Sequence, residues 1–173
     1  RALVDMRQVV KIMPTRPVFR INLALFESYS GNFKAGEQEA RTVQELGNRQ
    51  WGLISLAFAQ LGQDQFRLAD GTYQELATVN PQGASQGASG LGDLAMVEGR
   101  FSDAVQIFEK GAAADLAAKS ADTAAAKFAS LAHVHLLLRQ NRQAVLAAEK
   151  ALANSTAVKI RFLAARVFVE AGE

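Results

Sequence analysis

Leu91-Gly92-Asp93-Leu94-Ala95-Met96-Val97-Glu98-Gly99-Arg100-Phe101 reads as the end of one helix, a turn at Gly99, and the start of a second helix. A tight turn between two antiparallel helices needs positive φ, which glycine adopts without steric strain. Leu91 stands eight residues before Gly99, the small Gly92 seven before, and Ala95 four before. After the turn come Phe101 at plus two, Ala104 at plus five, Phe108 at plus nine and Gly111 at plus twelve. Both arms carry apolar residues at helical spacing.

The same template recurs along the chain. Around Gly31 it gives Leu23, Ala24, Phe33, Gly36, Ala40 and Val43. Before Gly62 it gives Trp51, Ile54, Ser55 and Phe58; after it the second helix is delayed by two residues and resumes as Ala69, Tyr73, Leu76 and Pro81. The opening residues repeat those last steps as Ala2, Met6, Val9 and Pro14. Around Arg139 the fit is Leu131, Ala132 and His135, then Ala144, Ala148 and Ala151, and Ala164, Ala165 and Phe168 precede Gly172. The anchors at 31, 62, 99, 139 and 172 are 31, 37, 40 and 33 residues apart. Periods of this length mark stacked helical repeats. No segment shows the period-two alternation of a strand.

These residues resemble the tetratricopeptide repeat, whose 34-residue unit carries an aromatic and Leu-Gly on helix A, Ala and an aromatic on helix B, and a closing Pro. The best matches are Trp51…Ile54-Ser55…Phe58 with Ala69…Tyr73…Pro81, and Leu91-Gly92…Gly99…Ala104…Phe108. The Ala-rich unit at 125–156 departs from the pattern by lacking the turn glycine, and only two units end in Pro. The resemblance covers essentially the whole chain. It implies an all-α fold, a right-handed α-solenoid of antiparallel helix pairs (a TPR-like superhelix) with about ten helices. The array divides into units near 17–47, 48–82, 85–117 and 121–156, with partial units at 1–14 and 157–173. Small residues at the close-approach positions (Ala24, Ser55, Gly92, Ala132, Ala165) are expected to let helix B pack on helix A. Large ones such as Phe58, Tyr73, Phe101 and Phe108 are expected to fill the gaps between units. The chain opens on a second helix and stops at a turn glycine. The expectation is therefore a fragment of a longer protein, with a homo-oligomer forming through its uncapped ends.

Composition narrows the function. Nineteen basic and 17 acidic residues leave a net charge of only +2, and the basic residues are scattered, as a solvated helix surface requires. A nucleic-acid interface would cluster them, so no nucleic-acid partner is expected. The absence of cysteine excludes disulfides, thiolate zinc sites and a cysteine nucleophile. It fits a reducing, cytoplasmic location. No run approaches the roughly 18 apolar residues of a membrane span.

Chemistry is equally hard to place. His133 and His135 sit two apart on a helix, about 200° around, and cannot share a metal. His135 occupies a packing position, and no third ligand stands nearby. Gly87-Ala88-Ser89-Gly90-Leu91-Gly92 has the composition of a phosphate loop but follows no strand, lacks the Gly-Lys-Ser/Thr ending, and falls inside a predicted helix. Ser85 and Ser89 have no companion base. No catalytic residue, metal or cofactor is expected, and the chain reads as non-enzymatic.

The resemblance implies a concave groove lined by helix-A residues ten, six and two before each turn. Carried over, these are Ile21, Leu25 and Tyr29; Gly52, Leu56 and Gln60; Ser89, Asp93 and Val97; Ala129, His133 and Leu137; and Phe162, Arg166 and Glu170. The first half is apolar, whereas Asp93, His133 and Arg166 occupy successive rungs of one row. Such a groove suits an extended or helical peptide. Family members that grip acidic chaperone tails use a Lys/Asn/Arg clamp. Ile21, Leu25 and Leu53 stand at those positions, so that ligand is not expected. The Ala/Gln/Arg-rich, degenerate units resemble repeats attached to bacterial signalling proteins, kinases or transcriptional regulators. The rival expectation is an assembly scaffold in a secretion or envelope complex.

Overall fold

The computed structural model describes residues 1–172. The described residues form ten helices and no strand: α1 (Ala2–Ile12), α2 (Pro17–Tyr29), α3 (Phe33–Glu45), α4 (Arg49–Leu61), α5 (Phe66–Ala77), α6 (Pro81–Val97), α7 (Phe101–Ala117), α8 (Ala121–Leu137), α9 (Asn141–Asn154) and α10 (Val158–Ala171). The chain divides into two compact units, residues 1–87 and 88–173. Helix α6 contributes its first seven residues to the first unit and the rest to the second.

The helix boundaries follow from local chemistry. Pro17 and Pro81 open α2 and α6, where the missing N–H has no partner to lose. The Asn48 side chain accepts from the backbone N–H of Trp51, and that of Asn80 from Gly83, capping α4 and α6. Six helix ends close in the same way. A residue in the left-handed region (Gly31, Gly47, Asp64, Gly99, Lys119 or Arg139) is followed by an N–H that bonds back five residues, as Arg100 does to Ala95 at 2.8 Å. This is the Schellman closure, and it satisfies carbonyls that the helix leaves orphaned.

One sequence expectation changes here. Gly62 is not the turn residue after α4; its φ is −67°, and Asp64 makes the turn at φ +56°. That shift accounts for the two-residue delay of α5. Gly62 is small for another reason, because a Cβ there would fall inside the ring of Phe33. Where the turn glycine is missing, Arg139 itself takes φ +56°.

Within the first unit neighbouring helices pack in sequence, α1 on α2, α2 on α3, α3 on α4 and α4 on α5, and α2 also meets α4. Ala24, Ala40 and Leu56 form a buried cluster there. In the second unit α7 packs on α8, α8 on α9, and α10 on both α8 and α9. Its core is built from Ala95, Ala104, Phe108, Ala112, Leu131, Ala132, Ala148 and Ile160 among others. Contact of one A helix with the next, alongside contact with its own B helix, is how stacked helix pairs bury stripes that none could bury alone. Ala24, Ser55, Gly92 and Ala132 are buried as expected of close-approach residues, but Ala165 is exposed, because no described residue covers that face of α10.

A carboxylate ties α1 to α2. Arg7 donates from Nε and Nη2 to the two carboxylate oxygens of buried Glu27 at 2.7 and 2.8 Å, and Asn32 Nδ2 adds a third bond at 2.9 Å. The Arg7 hydrogen bonds hold the Glu27 carboxyl below its usual range against the opposing effect of burial. A depressed carboxyl contributes stability above its unfolded value and loses it as pH falls through the folded one. The Glu27→Gln variant is therefore expected to be less stable than the parent at about pH 7. The gap should close as pH drops toward about 3, measured as urea midpoints. A gap constant with pH would show that the ion pair is not its source.

Candidate functional site

The second unit carries a recess of about 200 Å³ between α6, α8 and α10, lined by Asp93, Met96, Ala129, Ser130, His133, Leu163, Arg166 and Val167. The helical period places these residues together. Asp93 and Met96 are three apart on α6, Ala129 and His133 four apart on α8, and Leu163, Arg166 and Val167 span one turn of α10. Ala129 and Val167 are buried, and Met96, Leu163 and Ser130 half-buried, so the floor is apolar.

The polar groups are arranged unequally. Arg166 donates from Nε to Glu170 at 2.9 Å and from Nη2 to His133 Nδ1 at 3.1 Å. Acceptance at Nδ1 requires the neutral imidazole with its proton on Nε2. The guanidinium is thus held in place and its charge locally balanced by Glu170. Asp93 has no hydrogen bond and no ion pair among the described residues. The Asp93 side chain is exposed at the rim of the recess, with protein packed around part of it. Desolvation by the neighbouring protein pushes its pKa up from the ordinary carboxylate value, with Lys159 on α10 pulling the other way from beyond ion-pair distance.

The structure treats the sequence-derived groove residues in two ways. Asp93, His133 and Arg166 line one recess, with Val97, Leu137 and Phe162 exposed on the same three helices. Ile21, Leu56 and Gln60 are buried inside the first unit and offer no surface; Gln60 Oε1 accepts from Thr72 Oγ1 at 2.8 Å. Leu25 is half-buried, and Tyr29 is exposed with its ring 5.0 Å from that of Phe58. Sequence spacing had not singled out Met96, Leu163 and Val167, because apolar residues at those positions read simply as core.

Elsewhere, a wider depression in the first unit is lined by Arg7, Gly31, Asn32, Phe33, Lys34, Ala35 and Gln63. Its guanidinium is already engaged by Glu27. His135 is buried, with Nδ1 2.7 Å from Gln140 Oε1. Among the described residues, no three His, Cys, Asp or Glu side chains are grouped to hold a metal, and no helix is long and apolar enough to cross a membrane.

The helix order, the recurrent turns and the recess define an all-α repeat scaffold with a surface depression between A helices. The crystal structure of a thermophilic TPR protein in Thermus thermophilus superimposes with a TM-score of 0.74 at 17% identity, over 97% of this chain and 89% of that one. The chain therefore has a TPR-like repeat fold. No family model and no curated protein matches the sequence.

Proposed function

We propose that the chain is a non-enzymatic module that binds a protein or peptide segment along the A-helix surface, with the Asp93–His133–Arg166 recess as its anchoring point. The observation that carries this reading is the joining of an apolar floor to fixed polar groups in one depression. That combination orients a peptide side chain, whereas a flat polar surface does not. Peptides selected from a display library on the intact chain test it. The variants Asp93→Lys and Arg166→Glu are expected to weaken binding of the selected peptides roughly tenfold or more, about 1.4 kcal/mol, without lowering the melting temperature. Unchanged affinity would move the site to another face. The Ala/Gln/Arg-rich units further support placing the module in the regulatory or scaffolding region of a larger bacterial signalling protein.

A second reading, an assembly scaffold built from copies of this chain, is favoured by α10. Val158, Phe162 and Val169 are 82%, 67% and 76% exposed and, with Ala165, form a continuous apolar stripe. Ala125, Ala129 and Ala132, thirty-three residues earlier on α8, are buried. A stripe that is covered on one A helix and bare on the next is a docking face for a helix. Sedimentation of the chain and of Phe162→Glu should show an oligomer that the substitution dissociates. A monomer for both would end this reading.

A further inference from the structure

Asp93 is the one carboxylate of the recess that its own chain leaves uncompensated among the described residues. Arg166 faces Glu170 and His133, and Lys159 stays outside ion-pair distance. Beside the carboxylate lie Met96, Leu163 and Val167, an apolar strip bordering an acceptor with no donor. The ligand that satisfies both features has a cationic head on an aliphatic stem. We propose that the recess is a subsite for a basic side chain, Lys or Arg, of the bound segment, with the head on Asp93 and the stem along Met96, Leu163 and Val167. The proposal rests on the groove reading above and names what that groove recognises.

Three further observations bear on it. The recess partly desolvates the exposed Asp93 and disfavours its ionised form, and a donor arriving at that carboxylate offsets this. Arg166 is paired with Glu170, which leaves Lys159, acting from beyond ion-pair distance, as the cation that the incoming head competes with. The Arg166 guanidinium 3.1 Å from His133 Nδ1 leaves the other ring nitrogen, Nε2, facing away from that contact.

The test uses the intact chain with isotope-labelled methionine methyl groups, titrated with four small probes: N-acetyl-lysine N-methylamide, the norleucine and glutamate counterparts, and 1,5-diaminopentane. The lysine probe is expected to shift the Met96 methyl and to saturate, with at least tenfold weaker binding in Asp93→Asn. Asp93→Asn should leave the melting temperature at neutral pH unchanged or slightly raised, because a costly charge has been removed. Norleucine binding as well as lysine would make the recess merely apolar and overturn the proposal, as would preference for the glutamate probe. Much tighter binding of the free diamine would overturn the assignment to a side chain of a larger partner. If none of the probes binds while selected peptides still depend on Arg166, the cation subsite fails and the groove reading survives. If the peptides too ignore these residues, both fall.

Discussion

The Asp115→Ala variant is expected to lose roughly 3–5 kcal/mol of stability. Lys127 Nζ stands 2.6 Å from Asp115 Oδ2, and the two side chains are only 2% and 7% exposed. The lysine stem runs against Gly111, where a Cβ would come within 2.9 Å of its Cδ and Cε. The ammonium therefore cannot swing to solvent without disrupting the α7–α8 contact. Removing the carboxylate takes the Asp115 charge away from a buried ammonium, which costs far more than the intact pair contributes. The pair's net contribution is a separate quantity. Replacing both together, Asp115→Leu with Lys127→Met, is expected to return stability to near the parent value or above it. Urea denaturation of the single and double variants separates the two effects. A loss below about 0.5 kcal/mol for Asp115→Ala would show that the lysine finds other solvation.

Phe108→Ala is expected to cost about 3–5 kcal/mol. The ring is 1% exposed and sits in an alanine-rich buried cluster that includes Ala95, Ala104, Ala112 and Ala132 as well as Phe128, Leu131 and Val134. The alanines of the cluster cannot extend to fill the vacated volume, so a cavity remains. Gly92 on α6 packs against it, and a Cβ there would lie 2.5 Å from ring atoms. Gly92→Ala alone is therefore expected to destabilise by overpacking, by about 1–3 kcal/mol. Gly92→Ala with Phe108→Leu should recover part of that loss, because the smaller side chain makes room for the methyl group. A non-additive cycle in urea denaturation identifies the ring–glycine contact as the shared cause. Strict additivity would place the two effects in separate packing environments.

The architecture was readable wherever a residue type is forced by packing. Leu91-Gly92 and Phe108 could be recognised because the ring needs a glycine opposite it, and Ala104 and Ala144 because helices approach closely there. The turns were less legible. Only some of them use glycine, and Asp64, Lys119 and Arg139 adopt the same left-handed conformation. The Schellman hydrogen bonds make that strain tolerable, so residue identity stops reporting it. Gly62 then misled for a definite reason: it is a glycine for the sake of Phe33, two residues from the turn.

The site was partly legible. The row Asp93, His133, Arg166 followed from the groove positions that the repeat resemblance implies, carried along the chain by the turn anchors. The burial of Ile21, Leu56 and Gln60 did not follow, because register fixes direction along a helix and not how deep its neighbours stand. The Lys127–Asp115 pair was also invisible. Two opposite charges twelve residues apart in helical sequence look like solvated surface until the helices carrying them are seen to close over both.

Hydrogen exchange on the intact chain, with and without a display-selected peptide, tests most directly whether the A-helix recess is the working surface. Slowed exchange is predicted around Asp93–Val97 of α6, Ala129–Leu137 of α8 and Phe162–Val167 of α10, and it should disappear with Arg166→Glu. Protection confined to α7 and α9, or to none of these segments while the peptide is bound, would contradict it.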